Sequence, residues 1–227
     1  MPEQPVRPQR VIAVIAPKGG VGKSTIAAHL LTSARLAGVN AVGVDLDTQR
    51  SLVSFARSRV AAGREPGVRV VPGRMTGWRA ALAAEAGAAL AVVDTPPGVE
   101  DDDQLDGLRE LARIADLVLV PTPPYPPSAM MVADFAAALA RRGGADVWYV
   151  LSGVISGRTL LAEARLFLES RGPLCDIELP LRDHVARGIA EGVAVVEDER
   201  LGGYEAYRRL WYFVEGRLGL RAAGAAA

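Results

Sequence analysis

The chain has almost no lysine. Of its 26 basic residues only Lys18 and Lys23 are lysines, and all the others are arginines. A compact ammonium on a flexible stem enters a phosphate cradle that a broad guanidinium does not fit. Two lysines kept in one short glycine loop therefore mark a place where that shape is needed. Cysteine is scarcer still. With Cys175 alone, an internal disulfide and any paired-cysteine metal or redox motif are excluded, which fits a reducing cytoplasm. Excess charge of one sign is also missing. The 26 basic residues meet 26 acidic ones, so the molecule as a whole exerts no strong field and any polyanion must find a local patch. No apolar run reaches the roughly 20 residues that span a bilayer. Residues 1–10 hold three prolines and lack the apolar stretch of a secretory signal. They and the Ala/Gly-rich residues 220–227 are expected to be disordered tails.

What is present points to one domain over residues 11–219. A length of 227 residues with 50% hydrophobic content suits a single α/β core with a buried parallel sheet. Apolar runs at Val11–Ala16, Ala41–Asp45, Val68–Val71, Leu90–Asp94, Leu117–Pro121 and Val147–Ser152 read as strands. Between them, Ser24–Ala37, Leu52–Ala62, Thr76–Ala86, Gln104–Ile114, Ser128–Arg142 and Thr159–Ser170 read as helices, with Thr76 as an N-cap. A last helix is expected from Gly203 to Leu218. Short strands alternating with helices predict a mostly parallel, twisted sheet with helices on both faces. In such sheets ligands bind beyond the carboxyl ends of the strands, where the chemical motifs of this chain fall.

The first of these is Pro17-Lys18-Gly19-Gly20-Val21-Gly22-Lys23-Ser24-Thr25, between the first strand and the first helix. It is a phosphate loop in which Pro17 replaces the usual first glycine. Glycines let backbone N–H groups converge on phosphate oxygens, and the helix start adds free N–H groups and its dipole. Lys23 is expected to reach the β- and γ-phosphates of a nucleotide, Ser24 to ligate Mg²⁺, and Thr25 to contact the α-phosphate. The bland alternative is a glycine-rich turn with solvated lysines.

Two acidic segments end later strands. Leu90-Ala91-Val92-Val93-Asp94 is an apolar strand presenting an aspartate, the form that holds the water shell of Mg²⁺ in phosphoryl-transfer sites. Asp45-Leu46-Asp47-Thr48-Gln49 follows the second core strand. The bland alternative for Asp47 is a strand-ending aspartate that caps a turn. The acidic run Glu100–Asp103 reads as a solvated loop.

The run KGGVGKST with its extra leading lysine resembles the ParA/MinD superfamily of deviant Walker A ATPases, and most nearly the small partition ATPases without an N-terminal DNA-reading domain. The resemblance extends over Val11 to about Leu218. It implies ATP and Mg²⁺ as cofactors and an ATP-dependent sandwich homodimer in which Lys18 reaches the partner's phosphates. It also implies that Asp47 orients the attacking water, that Asp45 assists the Mg²⁺ shell, and that Thr95–Gly98 senses the γ-phosphate. Thr48 stands where the family usually has proline. Leu179–Glu197 resembles the family's adenine edge, which puts Pro180, Leu181 and Arg182 beside the base. Leu117–Ser128 resembles the family's strand-to-helix turn but lacks its aspartate.

Within that superfamily, branches that hold an iron–sulfur cluster need paired cysteines and are excluded. The tail-anchor and arsenite pumps are longer, and the tyrosine kinases carry a terminal tyrosine cluster absent here. A membrane-cycling division ATPase would dock a terminal amphipathic helix on lipid. Here Tyr207, Leu210, Trp211, Val214 and Leu218 form the matching stripe, which reads more readily as facing the core. A binding module without hydrolysis and a dethiobiotin-synthetase-like ligase are further alternatives. The leading expectation is a cytoplasmic, nucleoid-associated partition-type ATPase. By resemblance its dimer binds DNA non-specifically, and a partner bound to cargo or centromere stimulates hydrolysis. Its cargo would be a plasmid or chromosome, a chemoreceptor cluster, an enzyme compartment or a conjugative DNA complex. Arg187, Arg208, Arg209, Arg217 and Arg221 are the candidate DNA contacts.

Overall fold

The computed structural model describes residues 9–98, 102–140, 145–155 and 159–220. Seven strands form one sheet: β1 (Arg10–Val14), β2 (Ala41–Asp45), β3 (Arg69–Pro72), β4 (Leu90–Asp94), β5 (Leu117–Thr122), β6 (Val147–Val154) and β7 (Leu174–Pro180). Their order is β3-β2-β4-β1-β5-β6-β7, and every pairing is parallel. The helices are α1 (Lys23–Leu36), α2 (Ser51–Ala61), α3 (Trp78–Ala83), α4 (Asp102–Ile114), α5 (Pro126–Ala140), α6 (Thr159–Glu169), α7 (Asp183–Glu191) and α8 (Tyr204–Leu218). The chain moves outward from β1 on one side, returns to β4 beside it, and then builds β5, β6 and β7 on the other. That reversal opens a crevice at the carboxyl end of β1, where ligands bind in sheets of this kind.

Both faces of the sheet are covered, which explains why the central strands carry apolar residues on both sides. Alternation along β1 divides the core. Ile12 and Val14 face one cluster, built with α1, α2, α7 and α8. Val11, Ala13 and Ile15 face the other, built with α3, α4, α5 and α6. The stripe on α8 (Tyr207, Leu210, Trp211, Val214 and Leu218) is buried in the first cluster. It faces the sheet, as its spacing predicted, and is not available to lipid. Among the described residues no helix is long and apolar enough to cross a membrane.

The departures from expectation have local causes. Thr76 does not cap a helix: it lies inside a 3₁₀ turn over Met75–Gly77, and α3 starts only at Trp78, with Gly77 at its N-cap position. Helix α5 starts two residues earlier than expected, at Pro126, because proline suits the first helical turn, where no N–H is needed. Strand β7 is absent from the apolar-run reading because it is an edge strand. Asp176 and Glu178 alternate with the buried Cys175, Ile177 and Leu179, so it has no continuous apolar run. Residue 10, expected in a tail, begins β1. The rest of that tail, apart from Gln9, lies outside the described residues, as do Glu100, Asp101 and 221–227.

Candidate functional site

The loop after β1 turns back on itself through Gly20 and Gly22, both in the left-handed region at φ 72° and 91°, a conformation glycine adopts without steric cost. Gly22 is also the N-cap position of α1, and no side chain caps the helix there. The first helical bond runs from the Ile26 N–H to the Gly22 carbonyl, so the N–H groups of Lys23, Ser24 and Thr25 precede the ladder. Lys23 is buried, and its Nζ donates to the Lys18 carbonyl at 3.3 Å, closing the loop into a ring. Burial lowers its pKa, while Asp94 and Asp47 pull it back up. The Lys18 side chain is exposed.

Asp94 and Asp47 lie beside Lys23, and Asp45 lies next to both of them. Register places Asp94 level with Val14 on one side and Asp45 on the other. Asp94 is wholly buried, and neither of its carboxylate oxygens has a hydrogen-bond partner in standard geometry. Burial drives its pKa up to about 7, although Ser24 and Lys23 are near enough to draw it down. Asp45 is used differently. Its two oxygens accept the N–H groups of Asp47 at 3.1 Å and Val53 at 3.0 Å, so it shapes the loop and the start of α2. Burial raises its pKa, and those two amides oppose the rise. Asp47 is buried and its Oδ1 accepts the Gln49 N–H at 2.9 Å; it therefore also makes the turn that its position suggested. Thr95 donates to the Val14 carbonyl at 3.0 Å, and a Cβ at Gly19 would lie 3.4 Å from Pro97. The segment after β4 thus packs against the phosphate loop.

These residues fit Mg²⁺ bound with a nucleotide. Asp94 offers buried oxygens with no partner, and Ser24 adds a hydroxyl, a donor set suited to a hard cation. Among the described residues no cluster of three or more His, Cys, Asp or Glu could hold a metal without help. That agrees with the habit of Mg²⁺ of taking one or two protein ligands and completing its shell with phosphate and water.

A cavity of about 350 Å³ opens next to the loop. Its walls bring Lys18–Gly22 and Thr25 together with Pro180, Leu181 and Arg182, more than 150 residues away in sequence. Tyr125 and Tyr207 complete it. The cavity thus adjoins the glycine loop on one side and the end of β7 on the other.

The expected DNA contacts are mostly occupied. Arg208 donates to the Tyr204 hydroxyl at 3.0 Å and lies over the rings of Tyr204 and Tyr212. Arg209 donates to the Asp176 carbonyl at 3.0 Å. Arg217 pairs with Asp146 at 2.9 Å and stacks on Trp148. These three fasten α8 to the sheet and to neighbouring turns of itself. Arg187, on α7, is exposed and makes no ion pair or hydrogen bond among the described residues. Arg221 lies outside the described residues.

Two buried polar centres escape a reading of the sequence. His29 on α1 accepts the Val195 N–H on Nε2 at 3.1 Å. Its Nδ1–H then donates to the Thr25 carbonyl at 2.7 Å, and its ring stacks on Tyr207 at 3.9 Å. Arg59 on α2 is fully buried, pairs with Glu197 at 2.8 Å, and also donates to the Gly192 and Pro66 carbonyls. Neither belongs to a motif. The Val195 N–H that His29 accepts and the Gly192 and Glu197 partners of Arg59 lie 133–166 residues away, so no local pattern announces those contacts.

A phosphate loop at the switch point of a parallel sheet, with buried aspartates at two strand ends, defines a P-loop nucleotide-binding domain. Residues 12–195 match the family of the CobQ/CobB/MinD/ParA nucleotide binding domain, and the chain belongs to that family. It is similar to the maintenance of carboxysome distribution protein A of Gloeobacter kilaueensis, with 36% identity over 118 residues. That match covers 52% of this chain and 50% of the relative, so the chain spans about half the length of the curated relative it matches. The fold is similar to that of the septum site-determining protein MinD of Pyrococcus horikoshii, solved with Mg-ADP. The TM-score is 0.76 at 18% identity, over 95% of this chain and 99% of that one. An ATP complex of Cyanothece McdA gives a TM-score of 0.67 at 14% identity, over 94% and 98%.

Proposed function

We propose that this chain binds and hydrolyses Mg-ATP and uses the cycle to position an intracellular cargo. The observation that carries the reading is the ring closed by Lys23 and the Lys18 carbonyl, set against the unpartnered carboxylate of Asp94. Lys23 meets the β- and γ-phosphates, the helix-start N–H groups cradle them, and Ser24 and Asp94 hold the cation. When bound, Mg²⁺ would supply positive charge that offsets the charge of the phosphates. Asp47, beside Lys23, orients the attacking water, and Asp45 keeps the Asp47 loop in shape. Pro180, Leu181 and Arg182 border the base. Lys18, exposed at the rim, is free to reach a second copy across a shared nucleotide face.

The carboxysome-distribution relative supports cargo positioning. Plasmid or chromosome partition is the alternative cargo, with a cargo- or centromere-binding protein that stimulates hydrolysis. In this reading the ATP-bound dimer works in the cytoplasm and rests on nucleoid DNA without sequence preference. Because Arg208, Arg209 and Arg217 are engaged within the fold, Arg187 is the leading contact. The buried stripe on α8 argues against lipid docking. Calorimetry with Mg-ATP tests the core of the proposal: Lys23→Ala removes binding, and an unchanged affinity would overturn it.

A further inference from the structure

The nucleotide cavity has a polar wall residue that the phosphate chemistry above does not use. Ser152, near the end of β6, is 4% exposed, and its hydroxyl donates to the Val21 carbonyl at 2.9 Å, across 131 residues of sequence. Both residues line the cavity. We propose that Ser152 is a positioning residue for the phosphate loop: it fixes the Val21–Gly22 peptide so that the Gly22 N–H faces the phosphates. This rests on reading the cavity as a nucleotide site.

The argument begins with the peptide plane. Among the described residues the one cis bond is Glu65–Pro66, so Val21–Gly22 is trans. In a trans peptide the carbonyl and the following N–H point in opposite directions. Holding the Val21 carbonyl toward β6 therefore turns the Gly22 N–H away from β6, toward the concave side of the loop that Lys23 closes from the other end. The loop has no sheet ladder to set this orientation, since β1 ends at Val14. Without a donor from elsewhere, the buried Val21 carbonyl would lack a partner, and the peptide would be free to flip toward one. A flipped peptide would present a carbonyl oxygen to the phosphates in place of a donor.

The strand is shaped to deliver this hydroxyl. Alternation puts Ser152 on the same face as Val150, which belongs to the core beneath α1. The pairing of β6 with β7 shifts between Ser152 and Val154, leaving Gly153 as the extra residue at φ 68°. A bulge of this kind re-aims its neighbouring side chain. A Cβ at Gly153 would meet nothing within 4 Å, so glycine is required there by backbone conformation and not by space.

The test is calorimetry with Mg-ADP on the full chain, together with the Gly22 amide resonance followed by NMR during the same titration. Ser152→Ala is expected to weaken Mg-ADP roughly three- to tenfold, the loss of one positioned hydrogen bond. Ser152→Thr, which keeps the hydroxyl, should stay within about twofold of wild type. In Ser152→Ala the Gly22 amide should lose its nucleotide-induced shift, which a merely stabilising role would leave in place. If Ser152→Ala does not fold, Ser152→Cys replaces it, with a weaker donor and an intermediate loss expected. Wild-type affinity and a wild-type Gly22 shift in Ser152→Ala or Ser152→Cys, while Lys23→Ala abolishes binding, would overturn the role of Ser152 and leave the nucleotide site intact. Wild-type affinity in Lys23→Ala would overturn the site reading itself.

Discussion

Acidification should destabilise this protein through His29. The ring is fully buried, and loss of hydration lowers its pKa from the ordinary 6.5 to about 4, against the opposing pull of the Thr25 carbonyl and Glu197. The neutral ring is needed, because Nε2 accepts the Val195 N–H and a proton there would set donor against donor. The sign follows from linkage. Between pH 6.5 and 4 the unfolded chain binds the proton that the folded chain refuses, so stability falls as pH falls. The contribution is fully present above pH 6.5 and is progressively lost as pH drops toward 4. At about 1.36 kcal/mol per pKa unit, roughly 2.5 kcal/mol disappears between about pH 7.5 and about pH 4.5. The perturbation that isolates this is His29→Phe, which keeps an aromatic ring against Tyr207 and removes both nitrogens. At neutral pH that variant should be less stable by about 1–3 kcal/mol, because the Val195 N–H is left without an acceptor. Urea unfolding of both proteins across that range should show the gap narrowing by about 2.5 kcal/mol on acidification. Parallel pH profiles would refute the reasoning, as would an NMR titration placing the folded His29 near 6.5.

Further predictions address the site and its supports. Lys18→Ala should bind Mg-ATP with near wild-type affinity but fail to form an ATP-dependent dimer in sedimentation, since its exposed ammonium makes no ion pair among the described residues. Asp47→Ala should bind ATP and dimerise yet turn over far more slowly; a wild-type rate in a phosphate-release assay would return Asp47 to its turn with Gln49. Glu197→Ala strands the buried Arg59 charge and should cost about 3–5 kcal/mol in urea unfolding, whereas Arg59→Met combined with Glu197→Leu should cost clearly less. For DNA, Arg187→Glu should abolish the ATP-dependent anisotropy change on unrelated duplexes, and wild-type binding should fall with salt at a log–log slope of about 0.9 per phosphate contact. Binding that survives Arg187→Glu, or that ignores nucleotide, would exclude that contact.

The local part of this protein was readable without coordinates. Phosphate binding needs convergent N–H groups on one short glycine loop, so the chemistry proposed for Lys18–Thr25 lies in consecutive residues. Asp94 and Asp45 stand out by ending apolar runs, and the alternation of strands and helices fixes a parallel sheet with two covered faces. The stripe on α8 likewise showed its buried side through spacing alone. Other features depend on distances that no local pattern encodes. Strand β7 hides because an edge strand buries only alternate residues. Arg209 and Arg217 look free along the helix but meet the Asp176 carbonyl and Asp146 once α8 docks. Most of all, the supports of the site come from the far half of the chain: Ser152 on the Val21 carbonyl, Val195 on His29, and Glu197 on Arg59. A buried donor or charge is defined by what lies opposite it, and only closing the sheet brings those groups within reach.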